Sequence, residues 1–480
     1  MSNTAAQLSA RERITSLLDD NSFVEVGALV TRRSTDFNLQ QKEIPADGVI
    51  TGYGLIGGNL VYVYSQDATA MGGSIGEMHS KKIAHIYDLA LKVGAPVIGL
   101  IDSAGMRLQE ATDALNGFGE IYQKQALASG VIPQITAIFG NSGGGLAVMA
   151  SLSDFSFMEA NNAKLFVNSP NALIGNYKEK LDTSKADFHA EAGTVDYVGE
   201  SEADVINKIR ELLMILPNNN EDDASYDECT DDLNRLVPQL SSTVGDASRA
   251  LTVISDNQFF FEVKSDYAKE MVVGFIRLNG MTVGAVANRT EILDEEGKVK
   301  EKFDGSLTSA GCEKATEFVT FCDAFNIPVL TLTNVNGYNA TLEEEKTIAK
   351  ATAKLTYAFA NATVPKVNFI VGKAYGSAYI TMNSKHIGAD IVFALPNAQI
   401  GMMDSNLAAQ IMYADEDADT IKEKSSEYAE LQSSVLAAAK RGYVDAIIEP
   451  ETVRKHAIYS LEMLFTKRES RPAKKHGSLL

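Results

Sequence analysis

No stretch of about 18 consecutive apolar residues occurs in this chain, which excludes a helix long and greasy enough to span a bilayer. The opening residues, Met1 to Arg13, lack the apolar core that a secretion signal needs. A soluble, unexported cytoplasmic protein is therefore expected, and any work at a membrane would need another subunit as anchor. Cysteine is scarce as well. Cys229, Cys312 and Cys322 have no paired or metal-binding spacing, and their odd number suits a reducing compartment. No Cys, His and Asp pattern has the form of a metal site. Positive charge is also in short supply: 43 Lys and Arg face 63 Asp and Glu, leaving −20. That balance argues against general affinity for nucleic acid or an anionic membrane surface and reads as solubility.

What is present is a repeat. Pro133 through Leu146 and Pro365 through Ala378 share an apolar run, a glycine turn and a small-residue opening into a helix, at an offset of 365 − 133 = 232 positions. Ala95 through Asp102 and Ile327 through Asn334 match at the same offset. A chain of 480 residues exceeds one ordinary core, so two related domains are expected, 1–225 and 226–480. The acidic, non-periodic segment Leu216 to Asp232 reads as the linker between them.

Within the first half, Gly48 to Asn59 followed by Leu60 to Tyr64 predicts a strand, a glycine-rich turn and a second strand. Ile83, Ile86, Tyr87, Ala90 and Val93 recur at helical spacing. Val97 to Ile101 is a short buried strand, a further helix ends near Ser129, and Ile135 to Phe139 runs into the glycine cluster. The second half repeats the order, with a hairpin around Asn279 and Gly280, a helix carrying Cys312 and Cys322 as small apolar residues, and strands Val329 to Leu332 and Val367 to Val371. Strands alternating with helices predict an α/β fold with largely parallel pairing.

Several motifs compete for chemistry. Gly52, Gly54 and Gly57 satisfy G-x-G-x-x-G, but a strand follows where a dinucleotide site requires a helix, so a hairpin turn is expected. Gly140, Ser142 and Gly144 satisfy G-x-S-x-G between a strand and a helix, the context of a hydrolase elbow. His189 or His386 would then have to supply the base. The repeat argues differently: the position matching Ser142 is Ala374, and what both halves reuse is a set of backbone N–H donors at a helix start, suited to a carbonyl or oxyanion. Gly72, Gly73 and Ser74 precede the helix carrying His79 and Lys82, and the turn suits either a phosphate or thioester carbonyl or simple capping by Ser74. Asp102 to Glu110, with Ser103, Gly105 and Arg107, follows a parallel strand, where ligand contacts collect, although Arg107 beside acidic residues is equally the pattern of a surface ion pair. His79, His85, His386 and His456 are expected to cap helices or fill surface positions.

These pieces together resemble the carboxyltransferase subunit family of biotin-dependent acyl-CoA carboxylases and decarboxylases, of the propionyl-CoA carboxylase β kind. The resemblance rests on Tyr64 to Asp67, Gly72 to Ser74 with His79, Val93 to Gly99, Asp102 with Arg107 to Glu110, Asp266 to Phe275, Phe321 to Pro328, Ala362 to Lys366, Lys373 to Tyr379, Ser384 to His386, and Arg471, Pro472, Lys475 and His476. It covers most of the chain from about Arg11 onward.

The resemblance implies two tandem crotonase-like domains, coenzyme A bound by the first and the biotin of a separate carrier protein by the second. It further implies a homo-oligomer in which the N-terminal domain of one protomer faces the C-terminal domain of another, up to a hexamer. Gly144 and Gly145 would hold the acyl-CoA thioester oxygen, and Ser377 and Ala378 the biotin ureido oxygen. Substrate contacts are implied at Gly72, Gly73, Ser74, Ser103, Gly105, Arg107 and Gly143, and at Tyr375, Gly376 and Ile380; no metal is implied. Carboxyl would pass between biotin and the α-carbon of a short acyl-CoA, propionyl/methylmalonyl or acetyl/malonyl, through enolates held by backbone donors worth about 3 to 4 kcal/mol each. The chain carries no Met-Lys-Met biotinylation site and no recognisable ATP-binding module, which leaves carrier, and biotin carboxylase or membrane decarboxylase, to separate chains. It departs from the family pattern at Asn141 to Gly143, Ala104, Ser377, the loop Asn334 to Ala340, Ile348 to Ala351 and Ile380. A serine hydrolase using Ser142, a biotin-independent crotonase-like isomerase or hydratase, and a non-catalytic scaffold are the alternatives.

Overall fold

The computed structural model describes residues 7–222 and 226–478. The chain divides into two compact units, Met1–Ser225 and Tyr226–Leu480. In the first unit the strands are β1 (Val24–Glu25), β2 (Val49–Ile56), β3 (Asn59–Gln66), β4 (Val97–Ser103), β5 (Gln134–Gly143), β6 (Phe155–Glu159), β7 (Lys164–Phe166) and β8 (Tyr197–Gly199). They form one sheet in the order β1-β2-β3-β4-β5-β6-β8, with β7 paired to β5. The β1, β2 and β3 pairings are antiparallel, and every later one is parallel.

The second unit contributes β9 (Phe260–Val263), β10 (Met271–Leu278), β11 (Met281–Asn288), β12 (Val329–Val335), β13 (Lys366–Tyr375), β14 (Ile391–Ala394), β15 (Gln399–Gly401) and β16 (Ala446–Ile447) to its main sheet. Their order is β9-β10-β11-β12-β13-β14-β16, with β15 paired to β13, and the antiparallel and parallel pairings fall in the same places. The repeat reaches detail. The β4–β5 register shifts between Ile101 and Ser103, and the β12–β13 register shifts between Thr333 and Val335, at matching positions.

Parallel central strands buried on both faces read as near-continuous apolar runs; every residue of Val97–Ser103 is buried, and only its last two, Asp102 and Ser103, are polar. The helix Glu77–Val93 packs Ile83, Ile86, Tyr87 and Ala90 into the first core. Its counterpart Ser309–Ala324 buries Cys312 and Cys322, where burial pushes the Cys312 thiol up to about 12. Two lysines at matching positions fasten these helices to the loops before the hairpins. Lys82 Nζ donates to the carbonyls of Ala46 (2.8 Å) and Val49, and Lys314 Nζ to those of Lys264 (2.8 Å) and Tyr267 (2.7 Å).

The expected linker behaves differently from a free tether. Residues 223–225 lie outside the described residues, and on either side the segment is docked. Asn219 Nδ2 donates to the Gly94 carbonyl (2.8 Å) and the Asn220 amide to Val131 (3.0 Å), while Asp231 pairs with Arg235 (2.9 Å) and the buried Arg454 (3.5 Å). Asp222, Asp227 and Asp231 are engaged in local pairing, a feature that composition alone does not distinguish from solvation.

Candidate active site

Each long central strand ends in a turn that opens a short helix. In the first unit β5 runs into Gly144, whose φ of 62° and ψ of −122° are open to glycine and costly for other residues. The helix Gly145–Ser151 follows. The Gly144 amide donates to the Phe166 carbonyl at 2.8 Å, so one of the two donors expected at this turn is already engaged. By helix geometry the first-turn amides have no intrahelical acceptor, which leaves Gly145 as the donor of the expected pair. Tyr122 Oη donates to the Gly145 carbonyl at 2.6 Å and fixes the orientation of that peptide. Gly143 is half-buried against Phe166.

In the second unit β13 ends at Tyr375, and the helix Gly376–Thr381 starts with Gly376 at φ 62°. Ser377 is exposed and its Oγ accepts from Tyr338 Oη at 3.0 Å. Ala378 is buried. Tyr375 is buried too, its hydroxyl donating to Gln399 Oε1 at 2.5 Å, so it braces the turn against β15. Ile380 is partly exposed on the same short helix. Beside the turn a cleft of about 350 Å³ opens at the carboxyl ends of the parallel strands, lined among others by Asn334, Asn336, Gly372, Lys373 and Gln399. That edge is where open parallel sheets take ligands.

The loop Asp102–Arg107 and the turn Gly72–Ser74 interlock. Ser103 Oγ donates to the Gly73 carbonyl (2.7 Å) and accepts from the Gly105 amide (3.1 Å), and Ala104 N–H reaches the Gly72 carbonyl (2.7 Å). Ser74 does not cap the following helix, which begins after Gly76; the Glu110 carboxylate instead accepts the Glu77 amide at 2.6 Å. Arg107 is neither a surface ion pair nor turned to a ligand. Its guanidinium is fully buried, pairing with Asp47 (2.6 Å) and Glu110 (2.8 Å) and donating to the Ser74 carbonyl (2.8 Å). Arg107 and Ser74 therefore hold the loop from behind. Burial raises Asp47 above the usual carboxylate range, against the pull of Arg107. His79, expected near the surface, is also completely buried: Nδ1 faces the Asp47 carbonyl (2.9 Å) and Nε2 faces Gln66 (3.2 Å). Burial, then Arg107, lowers its pKa to about 3, so the ring is neutral.

The elbow reading of Ser142 fails on geometry. Ser142 is an internal residue of β5, paired with Ser103 and Leu165. It is completely buried, and its hydroxyl has no hydrogen-bond partner among the described residues. His189 is engaged with the Leu165 carbonyl at 2.6 Å. The Gly52–Gly57 motif lies in the β2–β3 hairpin. Among the described residues no cluster of His, Cys, Asp and Glu could hold a metal, and no helix is long and apolar enough to cross a membrane.

Residues that motif reading missed lie behind the turns. Asp102 Oδ2 accepts from Arg13 Nη1 (3.1 Å) and Gln7 Nε2 (3.3 Å), and the Asp102 amide donates to Gln66 Oε1 (3.3 Å). The 232-residue offset was the available signal: Asn334, the counterpart of Asp102, has its amide donating to Asn288 (3.1 Å) at the matching end of β11.

A tandem pair of such sheets, each ending in a glycine turn, defines a class that comparison identifies. Residues 2–479 match the carboxyl transferase domain family, and the chain belongs to that family. It is 38% identical over 495 residues to the methylmalonyl-CoA decarboxylase subunit alpha of Propionigenium modestum, covering 99% of this chain and 94% of the relative. To the propionyl-CoA carboxylase beta chain of Roseobacter denitrificans it is 39% identical, covering 98% and 94%. Among solved structures, transcarboxylase 12S, described as a hexamer with methylmalonyl-coenzyme A and methylmalonic acid bound, superposes with a TM-score of 0.92 at 36% identity, covering 98% of this chain and 93% of that one. The tandem crotonase-like architecture implied by the resemblance is the fold observed.

Proposed function

We propose that this chain is the carboxyltransferase component of a biotin-dependent acyl-CoA carboxylase or decarboxylase, acting on a short acyl-CoA of the propionyl/methylmalonyl kind. The observation that carries the reading is one turn built twice on one topology, with identical strand order in both units, within a family whose named members act on such thioesters. A reaction that builds negative charge on two carbonyl oxygens needs two sets of fixed donors. The chain supplies backbone amides rather than a nucleophile, in keeping with the burial of Ser142.

The residues fit the two ligands in kind. On the thioester side the Gly145 amide donates to the oxygen and Tyr122 holds the peptide that follows. Gly72, Gly73, Ser103 and Gly105 form the adjoining wall, and Gly143 and Gly144 give the backbone its bend. On the other side the amides of Ser377 and Ala378 face a ureido oxygen, Gly376 gives the close approach, Tyr375 braces the turn, and Ile380 offers an apolar contact. Biotin, when bound, supplies a ring nitrogen that carries the carboxyl group and exchanges a proton with the α-carbon. The protein's part is to orient both oxygens. Biotin arrives on a separate carrier, and a biotin carboxylase or a membrane decarboxylase subunit completes the system. The chain works in the cytoplasm as a homo-oligomer, up to a hexamer like the solved relative.

The test incubates purified protein with methylmalonyl-CoA or malonyl-CoA, with and without free biotin, and follows thioester decarboxylation. Biotin-dependent turnover is the expected result. Equal decarboxylation without biotin would mean a biotin-independent enzyme, conversion of the thioester without loss of CO2 an isomerase or hydratase, and neither conversion nor binding of the thioester a scaffold.

A further inference from the structure

We propose that Asp102, clamped by Arg13, is the positioning residue that sets the first-unit turn, a role that rests on the carboxyltransferase reading of that turn. The carboxylate lies between the two loops that have to be held in register. A Cβ built on Gly140 would overlap Asp102 Oδ1, so the side chain rests directly on the backbone three residues before the glycine turn begins. Its other oxygen is held by Arg13 Nη1 (3.1 Å) and by Gln7 Nε2 (3.3 Å), and Gln7 also donates to the Phe139 carbonyl (3.3 Å).

Arg13 is itself fixed from every side. It is 1% exposed, makes two bonds to Glu202 (2.8 and 2.9 Å) and lies over the Phe139 ring at 4.9 Å. Glu202 opens the helix Glu202–Leu213, where a carboxylate is favoured by the helix dipole. The N-terminal helix Ala10–Leu17 and the last helix of the unit are thereby tied to the point where β4 leaves the sheet.

The second unit shows which part of this device is optional. Asn334 covers Gly372 in the same way, and its Oδ1 accepts the Lys373 amide at 3.0 Å. Aligning Ala247–Ile254 with Ala10–Leu17 places Ala250 where Arg13 stands. The covering side chain is common to both units. The buried cation belongs to the first alone, so Asp102 and Arg13 form one unit of function that must be exchanged together.

The experiment compares Asp102→Asn, Arg13→Ala and the double variant, which reproduces the second unit's pairing. Asp102→Asn is isosteric and leaves Arg13 paired with Glu202, but it sets a neutral amide against the Arg13 Nη1 that Asp102 had met. It is expected to lower kcat by about tenfold with KM changed less than about threefold, since donors that act at the transition state are displaced. The double variant is expected to recover to within about threefold of wild type, the signature of a coupled pair. Hydrogen–deuterium exchange of peptides across 140–151 gives a readout independent of turnover. Exchange should rise in Asp102→Asn and fall back in the double variant, while peptides across 366–381 stay unchanged as the control for folding. If wild type shows no biotin-dependent turnover but the exchange pattern appears, the clamp stands and the carboxyltransferase reading falls. Unchanged exchange in Asp102→Asn, or a double variant no better than the poorer single one, overturns the clamp.

Discussion

In the first unit the helix starting at Glu77 has its first amide capped by Glu110 at 2.6 Å, and in the second the helix starting at Ser309 has its first amide capped by Glu344 at 2.7 Å. The buried lysines, the side chain over the strand glycine and the amide oxygen behind it are likewise shared. What differs is the charge behind the turn. The first unit buries Arg13 and Arg107 with four carboxylates around them, Asp102, Glu202, Asp47 and Glu110; the matching places in the second unit hold Ala250 and Asn339. Backbone geometry follows from the topology and recurs, whereas the supporting side chains need only satisfy their own neighbours. The same turn can thus be held by ions or by amides.

The comparison breaks most visibly at Arg107. Arg107→Met leaves Asp47 and Glu110 buried without their partner, a change expected to cost about 3 to 5 kcal/mol. Asn339, its counterpart, has a side-chain oxygen with no partner among the described residues. Asn339→Leu is therefore expected to shift stability by less than about 1 kcal/mol. Denaturant unfolding, with hydrogen exchange read separately from peptides of each unit, measures both. Equal losses would mean that the second unit depends on a polar network as much as the first does.

Next in size is the turn itself. A Cβ on Gly145 would stand 2.8 Å from Tyr122 Oη and 3.1 Å from Phe118. Gly145→Val presses on the helix Ala111–Ala128 and moves the amide, rather than merely filling open space. Turnover with biotin is expected to fall about 10²- to 10³-fold, with far-UV circular dichroism unchanged. Near-normal kcat in that variant would remove Gly145 from the site.

How far the sequence allowed these statements varies with the physics involved. The hairpins, the buried strands and both glycine turns were legible, because apolar runs and the Asn279–Gly280 pair report local conformation directly. The resemblance located the same turns. The network behind them was not legible. Arg107 reads identically in sequence whether its guanidinium meets water or Asp47, 60 residues away, and Glu110 gives no sign that it caps Glu77. Ser142 fitted a nucleophile motif and is shielded by pairing with β4 and β7, a fact of register that no local pattern encodes. Nor does the glycine pattern tell which amide is free: Gly144 has the conformation that a glycine turn needs, but Phe166 takes its amide.

A pH dependence distinguishes the two units more finely. His79 is held neutral, its pKa lowered from 6.5 to about 3. The unfolded chain takes up a proton below 6.5 while the folded one resists until about 3, so this contribution to stability is fully present above 6.5 and lost as pH falls through that window. Between pH 6.5 and 5 the loss amounts to about 2 kcal/mol. Gly311 occupies the matching place in the second unit, which has no histidine at that position. Comparing wild type with His79→Gln by urea unfolding at pH 7 and pH 5 isolates it. An identical acid loss in both proteins would mean that other groups carry the effect.

The smallest expected difference concerns the two tyrosines that touch the turns. Tyr122 is half-buried and donates to the Gly145 carbonyl, on the peptide that follows the donor, and burial holds its phenol above the usual range and so protonated. Tyr338 is 38% exposed and donates to the Ser377 hydroxyl, a bond that water replaces readily. Tyr122→Phe is expected to lower kcat by about fivefold and Tyr338→Phe by about twofold or less, as partly buried and exposed hydrogen bonds differ. Steady-state kinetics with the thioester and free biotin measures both. A larger loss from Tyr338→Phe, above all in the KM for biotin, would show that its hydroxyl meets the second ligand directly and that the second turn is completed by a side chain where the first is completed by backbone.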